Sequence, residues 1–186
     1  MLFRSPMRIR HDALVAAAQV VTGVRRIAHE IGGDLVTTVG RLTVSPNIVN
    51  AIPGKVALSI DMRDPKNETL DRALPLVDRV VRDACEREGV RYELEHYWRV
   101  PFTPFAPDVV GAVERAAKAG GVRYRRILSG AGHDAQYMAA IGPAGMIFVP
   151  SRGGRSHCEE EFTPMDDIEN GANTLFLVAL ELAEQA

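Results

Sequence analysis

The chain has 186 residues, 46% of them hydrophobic, with 22 Lys and Arg against 24 Asp and Glu and a formal net charge of −2. That length buries one good core or two small ones, and so even a charge, without a basic or acidic block, leaves no electrostatic footprint for nucleic acid. No apolar run reaches the ~18 residues of a membrane span, the first residues lack the apolar core of a signal peptide, and Cys85 and Cys158 suggest no disulfide framework; a cytoplasmic protein with no membrane partner is expected.

Residues 8–31 carry apolar side chains at three- and four-residue steps, Leu14, Ala17, Val21, Val24, Ala28 and Ile31, which predicts a helix stopped by Gly32-Gly33. His11 and His29 fall near its polar side and read as solvated. Residues 35–44, rich in Val and Thr, read as a strand. Two prolines and a glycine break it across Ser45-Pro-Asn-Ile-Val-Asn50-Ala-Ile-Pro-Gly54. Residues 55–63 then alternate: Val56, Leu58, Ile60 and Met62 share one face, and Asp61 and Arg63 share the other. A second amphipathic helix is expected at about 68–88, with Leu70, Leu74, Val77, Val81 and Ala84 as its stripe and Gly89 as its stop. Cys85 beside that stripe reads as core filler. Residues 90–98 alternate again and predict a strand.

The first hundred residues thus read helix, strand, strand, helix, strand, two helices covering one face of a small antiparallel sheet. Val100-Pro-Phe-Thr-Pro-Phe-Ala-Pro107, with three prolines, is the best boundary. Beyond it a helix is expected over 108–119, a strand over 124–128 and a glycine-rich turn, Ser129-Gly-Ala-Gly132, leading into a helix near 135–141. A strand over 145–150 and a closing helix over 166–184 follow. Strand–loop–helix alternation is the mark of α/β architecture, yet so short a stretch with two strands makes a poor core by itself.

The loop after 150, Ser151-Arg-Gly-Gly-Arg-Ser-His157-Cys-Glu-Glu-Glu161, lies where chemistry collects in open α/β sheets, just past the carboxyl end of a strand. Its imidazole can bind a metal or move a proton. The plain structural reading is a loop His bonded to a neighbouring carboxylate. Glu159, Glu160 and Glu161 read as a solvated acidic loop, and Arg152 and Arg155 as loop supports.

Asn50-Ala-Ile-Pro-Gly54, Asp61-Met-Arg63, Gly130-Ala-Gly132-His133-Asp-Ala135 and Ser151-Arg-Gly-Gly-Arg-Ser-His157 occur in that order. In this combination the chain resembles the hydantoinase/carbamoylase family of binuclear metal amidohydrolases over nearly its whole length. The resemblance implies an α/β fold, with an α+β lid and dimerisation domain over residues 1–104 and the C-terminal part of a catalytic metallohydrolase domain over 105–186. It implies hydrolysis of the C–N bond of N-carbamoyl-L-amino acids or related ureido compounds such as allantoate and ureidopropionate. The cofactors would be two divalent ions (zinc, manganese, cobalt or nickel) and the assembly a homodimer through the lid.

By the same resemblance His157 matches the last metal ligand and His133 a substrate-side histidine that steadies an oxyanion. Gly132 would allow close approach of substrate, and Asn50 with Arg63 would grip its carboxylate. The structural alternatives are a helix-start His133–Asp134 pair, a turn-shaping Asn50, and an Arg63 paired to Asp61 or Asp64. Two features depart from the family. Its N-terminal half, with most metal ligands and a glutamate base, has no counterpart here. The His of its His-Ala-Gly-Thr-Thr-Pro-Met segment falls on Met1, and only Pro6-Met7 match. The expectation is a fragment inactive by itself; the alternative is a non-catalytic homodimerisation module.

Overall fold

Asp12 starts the first helix: its carboxylate accepts from the N–H groups of Leu14 (3.0 Å) and Val15 (3.3 Å), two donors the helix leaves unpaired. In the computed structural model, which describes residues 5–184, α1 spans Ala13–Ile31 and ends at Gly32, whose φ of 68° an L side chain would resist. β1 (Val36–Ser45) and β2 (Lys55–Arg63) form an antiparallel hairpin, α2 follows over Asn67–Glu88, and Gly89 closes that helix in the left-handed region. The hairpin register runs from Ser45 opposite Lys55 to Val36 opposite Arg63, with an irregularity between Thr38 and Arg41.

These elements make the first of two compact units, Met1–Phe102 and Thr103–Ala186. Its core joins Ala16, Val20, Val24 and Ile27 of α1 to Ala73, Val77, Val81, Ala84 and Cys85 of α2, and Leu58, Ile60 and Met62 of β2 pack onto it. The helices leave no room for a side chain at Gly23, where an added Cβ would lie 2.4 Å from Val80 Cγ1. The α2 stripe is close to the one expected. The α1 stripe holds at Ala17 and Val24, which are buried, and at Ala28 and Ile31, which pack against the core, but Ala16, Val20 and Ile27 are buried as well while Leu14 is exposed. With Ala and Val on nearly every side of residues 13–21, periodicity alone fixes that face poorly. α2 also runs through Pro75, a residue without the N–H an interior turn needs; its buried stripe outweighs that local cost.

In the second unit α3 (Pro107–Ala119) packs on α5 (Met165–Glu184) through Ala112, Ala116 and Val178, and Arg115 pairs with Glu181 beside that contact. α4 is a short helix, Ala135–Ala139. Gly145 lies against Val109 of α3, and Gly171 of α5 lies against Val149, so residues 145–150 cross both helices. The fully buried residues are few and small, and Leu175, Phe176 and Leu180 of α5 stay exposed.

The class is α/β, but three expected strands differ. Among the described residues the only sheet is the β1–β2 hairpin, and 90–98, 124–128 and 145–150 carry no ladder. A strand exists by pairing, and alternation in sequence records which side chains avoid water, not whether a partner is at hand. Tyr92, Trp98, Tyr124, Leu128 and Phe148 are exposed accordingly. Residues 90–99 are instead tied to α2 by a hydrogen bond between His96 Nε2 and Asp78 Oδ1 at 3.1 Å and an ion pair from Arg99 Nη2 to Asp71 Oδ1 at 2.7 Å. No helix among the described residues is long and apolar enough to cross a membrane.

Candidate functional site

The loop from Ser151 to Phe162 is built by its own polar groups. Arg152–Gly154 form one 3-10 turn, with Gly153 and Gly154 at φ of 65° and 67°. The Arg152 N–H donates to the Phe162 carbonyl at 2.8 Å, and the Arg152 guanidinium lies 4.3 Å over the Phe162 ring. Ser151 Oγ donates to the Arg155 carbonyl. Arg155 faces Glu160 at 3.8 Å. The two arginines therefore hold the loop, as expected of them.

His157 has a φ of 59°, the one non-glycine residue with positive φ among those described. Its N–H donates to Glu161 Oε2 at 2.8 Å, and Ser156 Oγ reaches Glu161 Oε1 at 3.5 Å. Glu161 thus fixes the backbone that carries the imidazole and is more than a solvated carboxylate. Non-glycine residues held in this region concentrate at functional sites, where the surroundings over-determine them. Cys158 beside it is exposed, whereas Cys85 is buried.

His133 sits in the turn before α4, where its Nδ1 accepts the Ala135 N–H at 3.0 Å. That bond needs a lone pair on Nδ1, so the ring proton resides on Nε2 and Nε2–H is a donor. Asp134 begins α4 without a side-chain cap. Ser129 Oγ shapes the preceding turn, accepting from Ala131 N at 3.2 Å. Gly132 is exposed on that turn.

Asn50 is exposed in the connection beyond the Ser45–Lys55 end of the hairpin, and Arg63 closes β2 at the other end. Eight residues at ~3.3 Å each separate Lys55 from Arg63, so the hairpin does not bring Asn50 and Arg63 together along β2. Arg63 lies across Asp61: Nε donates to Oδ1 at 2.8 Å and Nη2 to Oδ2 at 3.0 Å. Asn50 and Arg63 belong to the first unit, and Gly132, His133 and His157 to the second. No hydrogen bond joins His133 to His157 among the described residues.

Nor do the described residues group three His, Cys, Asp or Glu side chains so as to hold a metal ion. His157 alone falls short of the three or four protein ligands a zinc-type site needs. Met1, on which the His of the His-Ala-Gly-Thr-Thr-Pro-Met segment falls, lies outside the described residues. Sequence reasoning offered a loop His bonded to a neighbouring carboxylate but singled out neither Glu161 nor the His157 backbone N–H; a carboxylate four residues past the histidine was the available signal.

A model of the peptidase family M20/M25/M40 matches residues 7–181. The chain is 40% identical over 174 residues to an N-carbamoyl-L-amino-acid amidohydrolase of Paenarthrobacter aurescens, covering 94% of this chain and 42% of that enzyme. It is 33% identical over 177 residues to an allantoate amidohydrolase of Bacillus subtilis, covering 95% and 43%. A crystal structure of a hydantoinase/carbamoylase family amidase from Burkholderia multivorans superposes with a TM-score of 0.85 at 38% identity, over 96% of this chain and 43% of that one. At 16% identity and a TM-score of 0.62, likeness to the Bacillus subtilis YXEP protein, described as a dinuclear metal binding peptidase, shows the fold alone; it covers 94% of this chain and 47% of that protein. The chain spans less than half the length of each of these proteins.

Proposed function

The chain belongs to peptidase family M20/M25/M40, and from that premise we propose that it is the lid and closing catalytic segment of an amidohydrolase. The enzyme would cleave the C–N bond of N-carbamoyl-L-amino acids or related ureido compounds. The observation that carries the reading is the 40% identity to an N-carbamoyl-L-amino-acid amidohydrolase over 94% of the chain. In the complete enzyme two divalent ions would supply an activated water. The described residues do not build a cage for them; this chain contributes one ligand, His157, and recognition.

His133 supports the reading through its tautomer. An oxyanion needs a donor aimed at it, and the Ala135 N–H on Nδ1 leaves Nε2–H as that donor. Gly132 beside it gives substrate close access. Arg63 offers a planar fork to the substrate carboxylate, and Asn50, at the other end of the hairpin, a side-chain amide that the lid of a second copy would bring to it. Residues 1–104 form the lid and pair two copies, and 105–186 close the catalytic domain. A cytoplasmic location goes with this reading, both cysteines being free.

The test is a chimera in which this chain replaces the matching 42% of the Paenarthrobacter aurescens enzyme. It should hydrolyse an N-carbamoyl-L-amino acid and lose both bound metal and turnover in His157→Ala. A folded chimera whose His157→Ala variant keeps full metal occupancy sinks the assignment.

A further inference from the structure

We infer that Glu161 is the positioning residue that aims the His157 imidazole at a divalent ion, an inference that rests on the proposed role of His157. Residues 158–161 fold back on themselves, the Glu161 N–H donating to the Cys158 carbonyl at 3.1 Å. The next residue, Phe162, is pinned to the start of the loop, its carbonyl accepting the Arg152 N–H at 2.8 Å. The Glu161 carboxylate is thereby returned to the chain just before the turn. There Oε2 accepts the His157 N–H at 2.8 Å and Oε1 the Ser156 hydroxyl at 3.5 Å. Glu160, one residue away, is placed otherwise and faces Arg155 at 3.8 Å.

The bond matters for what it holds. His157 stands at a φ of 59°, a region that disfavours an L side chain. Return of φ to the ordinary negative range would swing the Cα–Cβ bond, and the imidazole with it, by roughly a third of a turn about N–Cα. A metal ligand has to be placed to within about 0.5 Å, so that relaxation would carry the ring out of reach of its ion. A carboxylate accepting a backbone N–H makes one of the stronger hydrogen bonds. Because this one goes to the backbone, it fixes the direction of the side chain without occupying a ring nitrogen. Both Glu161 oxygens are engaged by residues 156 and 157, so Glu161 acts through His157 rather than beside it.

In the chimera, Glu161→Ala removes the acceptor and Glu161→Gln keeps a neutral one. Groups that orient a metal's ligands contribute about 10–100-fold to its affinity. Zinc should therefore bind Glu161→Ala at least about tenfold more weakly, and Glu161→Gln should recover most of that loss. In a His157→Ala background Glu161→Ala should weaken zinc no further, because Glu161 acts through that ligand. Unchanged zinc affinity in Glu161→Ala overturns the inference. So does an equal loss in Glu161→Gln, which would make the carboxylate a ligand or a counter-charge instead. Should His157→Ala itself leave zinc affinity unchanged, the ligand role of His157 fails first, and with it this inference. One measurement needs no metal. In the 186-residue chain the His157 amide proton should exchange with solvent about tenfold faster in Glu161→Ala than in the parent or in Glu161→Gln. Equal exchange in all three overturns the inference directly, and so does faster exchange at every amide of the loop, which would mean a general loosening.

Discussion

The His157 N–H donates to the Glu161 carboxylate at 2.8 Å while His157 holds a φ of 59°. A left-handed conformation costs an L side chain about 1–2 kcal/mol that glycine escapes. His157→Gly should therefore be more stable than His157→Ala by about 1 kcal/mol, read from urea unfolding of the chain. Equal midpoints would mean that the loop does not hold this conformation.

Gly23 and Val80 make a packing prediction of opposite sign. In an exposed helix, Gly→Ala gains about 1 kcal/mol of helix propensity. Here the new Cβ would meet Val80 Cγ1 at 2.4 Å, and a β-branched side chain has few rotamers with which to yield. Overpacking costs about 1–3 kcal/mol, so Gly23→Ala should be neutral to destabilising, and Gly23→Ala with Val80→Ala should recover the loss. A stabilised single variant would show that α1 and α2 separate freely there.

The stops of the helices were legible because they are local chemistry: Gly32 and Gly89 act within one turn of themselves, and α1 and α2 end there. The start of α1 was not, since the apolar steps run from residue 8 while the helix begins at Ala13, capped by Asp12. The face of α1 was less legible, since Ala and Val surround it. The strands at 90–98, 124–128 and 145–150 were not, because pairing depends on a partner that alternation cannot report. The motifs carried the family. They did not carry the turn bonds of the site: the Ala135 N–H on His133 Nδ1 and the Glu161 grip on His157 depend on turn geometry a few residues wide.

Cys85 ties pH to stability. Burial pushes its thiol pKa up, because the thiolate loses its water. A raised folded-state value means that its contribution is full below the unfolded thiol's pKa of about 8.5 and is lost as pH rises from there through the folded value. Unfolding midpoints should fall on this alkaline limb, and Cys85→Ala should flatten it. A disulfide-exchange reagent at neutral pH should label the exposed Cys158 at once and Cys85 only on unfolding. Fast labelling of both would contradict the packed core of the first unit.

The last prediction concerns the chain by itself: it should bind divalent ions weakly and turn over nothing. A zinc-type centre needs three or four ligands in fixed geometry. The proposed assignment gives this chain one, His157, and the described residues group no three candidate ligands. Glu159, Glu160 and Glu161 are consecutive, but Glu161 is bonded to the His157 backbone and Glu160 faces Arg155 at 3.8 Å, so neither is poised with the imidazole around one point. Water activation further requires a base within hydrogen-bond reach, and the assignment provides none. The loss is then of the chemical step, not of affinity: on the proposed assignment His133 Nε2–H would face an oxyanion with no nucleophile to form it. The measurement is to strip the chain with chelator, add zinc, manganese, cobalt or nickel, and assay N-carbamoyl-L-amino acids and allantoate, with metal binding followed by calorimetry. Metal-dependent turnover abolished by His157→Ala would show that 186 residues assemble a complete centre, and the single-ligand assignment would fall.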